Sequence, residues 1–129
     1  MELYELKEYF KLEFNSDCFV SIGKIDNNKE KAICFYNSER INSYSPVIGG
    51  KANKSTTIKP ITILLRYTKN KKDAELMAKR LYEFFEERTF YINKKRIFTI
   101  MTFDEPNDLG TDENNVYEYS IELDFYVER

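Results

Sequence analysis

The 129-residue chain has no histidine and no tryptophan, and only two cysteines, three prolines and four glycines. Without histidine there can be no Ser-His-Asp triad, no Cys-His dyad, no histidine zinc site and none of the usual proton shuttling near neutral pH. Two cysteines cannot supply the four ligands of a structural zinc. Cys18 and Cys34 sit in apolar segments, Cys18-Phe19-Val20 and Ile33-Cys34-Phe35, and read as small core residues of a reducing compartment. No apolar run approaches the roughly 18 residues of a membrane span. The acidic start, Met1-Glu2-Leu3-Tyr4-Glu5, lacks the basic region of a secretory signal. A protein that is cytoplasmic, or assembled in a cytoplasm, is expected. The 20 Lys+Arg against 22 Asp+Glu leave a net charge of −2, which offers no electrostatic grip on a phosphate backbone.

The length suits one domain, and a chain of this size buries roughly 68% of its unfolded surface without help from a metal or disulfide. Ten Tyr and ten Phe look abundant, but Lys, Ile, Asn, Tyr and Phe together make up 57 residues of the chain. These types share A/T-rich codons, so a low-GC genome and core filling account for the aromatics better than a base-stacking surface does.

Leu3, Leu6, Phe10 and Phe14 recur at helical spacing, which predicts an amphipathic helix over Glu2–Phe14. Two short apolar runs follow, Cys18–Ile25 and Ala32–Tyr36. The polar turn formers between them predict a hairpin. From Asn37 to Lys59 no period is present, and a long flexible loop is expected. Ile61–Tyr67 is a β-branched strand with Pro60 at its first position. Asn70 caps a helix over Lys71–Arg88 whose buried stripe is Ala74, Met77, Ala78, Leu81 and Phe85. A short Phe90–Ile92 segment, an Asn93-Lys94 turn and a strand over Ile97–Phe103 come next, followed by an acidic loop, Asp104–Asn115. In the last strand, Tyr117, Tyr119, Ile121, Leu123, Phe125 and Val127 alternate with more polar residues. The expected architecture is a single α+β domain in the order α-β-β-β-α-β-β. Its sheet is mixed but mostly antiparallel, with two helices packed on one face.

Catalytic patterns fail when tested individually. An EF-hand register started at Asp104 puts Pro106 and Leu109 at its third and sixth positions, where a ligand and a glycine are needed. Gly49-Gly50-Lys51 lacks the leading glycine and the following Ser/Thr of a phosphate-binding loop, and no Gly-x-Ser-x-Gly elbow occurs. No catalytic residue, cofactor or metal site is expected. Two other classes stay open: a nucleic-acid-binding adaptor using the Lys-rich loop, and a small enzyme with an all-carboxylate metal site.

Charge is unevenly placed along the chain. The loop from Asn37 to Lys59 carries a net +3, and the stretch Asp104–Glu118 a net −6. Opposite charges on separate segments suit head-to-tail contacts between copies, which close into a ring when the rotation allows.

The wording of the C-terminal two-thirds carries a resemblance. A strand ending in arginine, Pro60-Ile61-Thr62-Ile63-Leu64-Leu65-Arg66, precedes Lys72-Asp73-Ala74-Glu75-Leu76-Met77-Ala78-Lys79-Arg80-Leu81-Tyr82. Ile97–Thr102 and the closing Asp112-Glu113-Asn114-Asn115-Val116-Tyr117-Glu118-Tyr119-Ser120-Ile121-Glu122-Leu123 complete it. From Pro60 to Val127 this resembles the minor capsid family of phages and prophages of low-GC Gram-positive bacteria, and through it the tail terminators of long-tailed phages. One departure is Asn114-Asn115, where a glycine or basic residue is expected.

The resemblance implies a small α+β subunit of a ring, often six-fold, on the head-proximal end of the tail tube. Its partners would be further copies of itself, the tail tube protein and a head-completion or connector protein. From charge and hydropathy, no membrane and no specific nucleic-acid partner are expected. Charge placement nominates the contact residues: Lys51, Lys54 and Lys59 against Asp108, Asp112 and Glu113.

Overall fold

The alternating pattern near the C-terminus becomes the spine of the molecule. The computed structural model describes residues 1–26, 28–38 and 56–128. Its elements are α1 (Leu3–Glu13), β1 (Phe19–Ile22), β2 (Ala32–Asn37), β3 (Thr56–Arg66), α2 (Lys71–Phe85), β4 (Thr89–Ile92), β5 (Lys95–Met101), β6 (Asn107–Thr111) and β7 (Tyr117–Glu128). Seven strands make one mixed sheet in the order β1-β2-β3-β7-β5-β4, with β6 also paired to β7. β3 runs antiparallel along the whole of β7. On the other side of β7, β5 takes the C-terminal half and β6 the N-terminal half.

Tyr119, Ile121, Leu123, Phe125 and Val127 all point into the core, as do Ile61, Ile63 and Leu65 of β3. Both helices cover this face. The Phe10 ring from α1 stacks on Phe85 from α2 at 5.7 Å, and Phe85 meets Phe125 of β7 edge-on at 5.9 Å. The expected stripes are buried except for Leu3, which is half-buried: Leu6, Phe10 and Phe14 from the first helical stretch; Ala74, Met77, Ala78, Leu81 and Phe85 from the second. Asn70 Oδ1 accepts from the Asp73 N–H at 3.2 Å and starts α2. Thr99 ties the end of α2 to the sheet, its hydroxyl donating to the Phe85 carbonyl and accepting from the Arg88 N–H.

The α+β class with two helices on one face is therefore observed, but local assignments differ in four places. β1 and β2 are parallel neighbours, not a hairpin. Gly23, at φ +79°, turns the chain out of β1, and the nine residues between Ile22 and Ala32 carry it back to pair alongside. A four-residue strand is only about 13 Å long, so a short return loop spans it where longer strands need a full crossover.

β3 begins at Thr56, so the last residues of the expected 37–59 loop are strand; residues 39–55 lie outside the described residues. Pro60 sits inside this strand, not at its start. Its carbonyl accepts from the Ser38 N–H just past the end of β2, so its missing N–H faces the place where that ladder stops.

Residues 89–92 form a full strand, β4, closed onto β5 by Asn93 and Lys94, both left-handed at φ 52° and 67°. Finally, the acidic loop contains β6. Gly110, at φ +82°, accompanies an irregular register between Asp108 and Gly110 that let so polar a segment pair with β7.

Candidate functional site

For a chain whose charge pattern points to assembly, the site to build is a surface. Of the six nominated residues, Lys51 and Lys54 lie outside the described residues. Lys59, on β3, donates to the Met1 carbonyl at 2.9 Å. It stands seven residues from Arg66 along β3, about 23 Å at the rise of a strand. Asp112 lies at the Arg66 end, so the structure does not bring Lys59 and Asp112 together within one chain.

Two of the three acidic candidates have partners in their own chain. Asp108 on β6 pairs with Lys71 at the start of α2 and accepts from the Gly110 N–H at 2.8 Å. The Lys71 ammonium also lies 5.0 Å from the Tyr117 ring centre and 5.2 Å from that of Tyr119. The bond from Lys71 holds Asp108 below the usual carboxylate range, and the same bond pushes Lys71 up. Asp112 pairs with the buried Arg66 and caps the turn before β7, its Oδ1 accepting from Asn114 at 2.9 Å and Val116 at 3.0 Å. Glu113 is exposed on that turn. Burial pushes Cys34 up, and Cys18 up to about 11, outweighing the lowering pull of Ser16, Lys31 and Arg80 on Cys18. Among the described residues no group of three or more His, Cys, Asp or Glu is placed to hold a metal ion.

The acidic stretch also builds one wall of a groove of about 650 Å³. Asp104, Glu105 and Asp108 face Glu75 and Glu83 of α2 and Glu86 at its C-cap across it, with Lys71 and Lys79 the lining cations among the described residues. Tyr82 also lines it and donates from its hydroxyl to the Phe103 carbonyl at 2.7 Å. Tyr119 lines the groove while being only 4% exposed.

A model of a family described as bacteriophage tail terminator protein matches residues 6–129. This chain belongs to the bacteriophage tail terminator family. Comparison with curated proteins and with solved structures gave no match. The family places the chain among the structural proteins of phage tails and their assembly, where surfaces do the work.

Seen as a tail terminator, the chain holds its acidic residues differently from their order in sequence. Glu75 and Glu83 of α2, with Lys79 between them at spacings of four, lie on one side of the helix, and Glu86 follows three residues on at its C-cap. That spacing was the available signal. What it could not reveal was that β6 folds the Asp104–Asp108 carboxylates against the same side.

Proposed function

We propose that this tail terminator is the subunit of a ring that caps the head-proximal end of a tail tube and meets the head connector. The family match over residues 6–129 is the observation that carries the reading. Opposite charges at separated places favour heterologous contacts, which close into a ring when the rotation allows and otherwise run on as filaments. Exposed pairs are individually worth about 0–1 kcal/mol, so they matter through repetition around a ring.

Of the nominated contact residues, Lys51, Lys54 and Lys59 keep their place on the basic side of a subunit contact, and Glu113 on the acidic side. Asp108 and Asp112 contribute only by exchanging Lys71 and Arg66 for a neighbour. The function is structural, with no reaction to catalyse, and the folded subunit enters the virion from the host cytoplasm.

The test is assembly with the tail tube. Sedimentation and electron microscopy of the purified chain with its cognate tube should show rings on one tube end and tubes of defined length. Tubes that polymerise at both ends regardless of the added chain would refute the reading. Replacing Lys51, Lys54 and Lys59 by Glu should weaken ring formation and reduce its salt dependence.

A further inference from the structure

The acidic groove has a counterpart at the other end of the same strand. The β4–β5 hairpin tip projects Lys94, Lys95 and Arg96, all exposed, on a two-residue turn. Asn93 at the tip donates to Glu5 of α1, and Arg96 pairs with Glu128, so the tip is anchored on both sides. The groove lies beyond the far end of β5, where Asp104 and Glu105 follow it. Seven residues of strand separate the two, about 20 Å, so a rigid tip cannot reach its own groove.

Six carboxylates against two lysines leave the groove strongly anionic. Of those two, Lys71 is already engaged in its own chain, paired with Asp108 and set beside Tyr119, so the α2-side glutamates and Asp104-Glu105 are the charges open to an incoming cation.

We propose that the cationic β4–β5 tip of one subunit docks in the acidic groove of the next, with Lys94 and Lys95 set between the α2 carboxylates and Asp104-Glu105. The inference rests on the ring reading and adds a second contact beside that of Lys51, Lys54 and Lys59 with Glu113: two different surfaces at opposite ends of β5, so that each added copy presents a fresh groove or tip.

Sedimentation velocity across protein concentration tests it with a tip variant, Lys94→Glu with Lys95→Glu, and a groove variant, Glu83→Lys with Glu86→Lys. Each alone should raise the concentration for half-assembly at least about tenfold, because the tip variant sets like charges against each other and the groove variant cancels the groove's excess negative charge. An equimolar mixture of the two should assemble better than either alone, since the acidic tip then meets the lysines at positions 83 and 86 while the native tip meets a native groove. Wild-type assembly by either variant alone, or no recovery on mixing, overturns the contact while leaving the ring itself standing. A wild-type chain that stays monomeric with and without tail tube overturns both.

Should a variant melt early by circular dichroism, zero-length carbodiimide cross-linking of the assembled wild type decides. Lys94 or Lys95 should be joined between chains to Glu83, Glu86, Asp104 or Glu105. Inter-chain links from those lysines to other carboxylates would refute the docking.

Discussion

The Arg66 guanidinium at the end of β3 pairs with Oδ2 of Asp112 while Oδ1 of the same carboxylate caps the turn into β7. Arg66 also donates from Nη1 to the Lys29 carbonyl at 2.6 Å, reaching the return loop between β1 and β2. One side chain thus fastens three segments that are distant in sequence. Its side chain is 3% exposed and that of Asp112 is 19% exposed.

Arg66→Met should therefore cost about 2–4 kcal/mol in urea denaturation, since removing one partner of a buried pair strands the other charge. Asp112→Asn keeps an oxygen for the turn and should cost less than Asp112→Ala, which loses cap and charge together. Equal costs for the two Asp112 variants would show that capping contributes nothing.

Stability should fall on the acid side. Asp17 and Asp108 are held below the ordinary Asp value of 3.8 by bonds from Lys31 and Lys71. Burial pushes Asp112 up, but donors from Val116, Arg66 and Asn114 outweigh it and leave it lowered too. With folded values below unfolded ones, the unfolded chain takes up protons first. The stabilisation is present above about pH 3.8 and is lost as pH falls through the lowered values. Asp17 and Asp108 are exposed and screened, so Asp112→Asn should do most to flatten this acid limb in denaturation curves at pH 3 to 7.

Glu118 has the opposite sign. Burial first, and the Asp112 charge second, raise it above its ordinary 4.5. Its ionisation costs stability above that value, so Glu118→Gln should raise the melting temperature at pH 7 and have no such effect at pH 3. A lower melting temperature at pH 7 would contradict this.

Phe85 is the junction of the core: fully buried, it contacts Phe10, Phe35, Phe84 and Phe125. Phe85→Ala should cost about 3–5 kcal/mol, and Phe85→Leu much less because most of the volume stays filled. Calorimetry of the two variants measures the difference.

Asn115 sits at φ 63° in the turn before β7, doing what a glycine would do there. Asn115→Gly should leave stability within about 0.5 kcal/mol, whereas Asn115→Val should cost about 1–3 kcal/mol from left-handed strain. The expected glycine is thus replaced by the residue next best suited to that conformation. Thermal melts of both variants check it.

How far the chain could be read ahead of its structure depended on the range of the forces involved. The two helices and the alternating face of β7 follow from local periodicity, so they were legible. The β1–β2 pairing was not, because whether a strand lies parallel or antiparallel depends on where the connecting loop returns, and Arg66 helps to set that from afar. β6 was hidden because an acidic segment has little strand propensity of its own; β7 offered it an unpaired edge. Among the nominated contact residues, composition located the charge but could not show that Lys71 and Arg66 already hold Asp108 and Asp112.

Composition by itself excluded histidine-based chemistry, and hydrophobic spacing settled which helix faces are buried. Those are properties of neighbours along the chain. Only the tertiary structure decided which charges meet, because ion pairs and grooves join residues from distant elements. Folding drew Glu83 and Asp104 to the two walls of one groove and left Lys94 and Lys95 at the opposite end of β5.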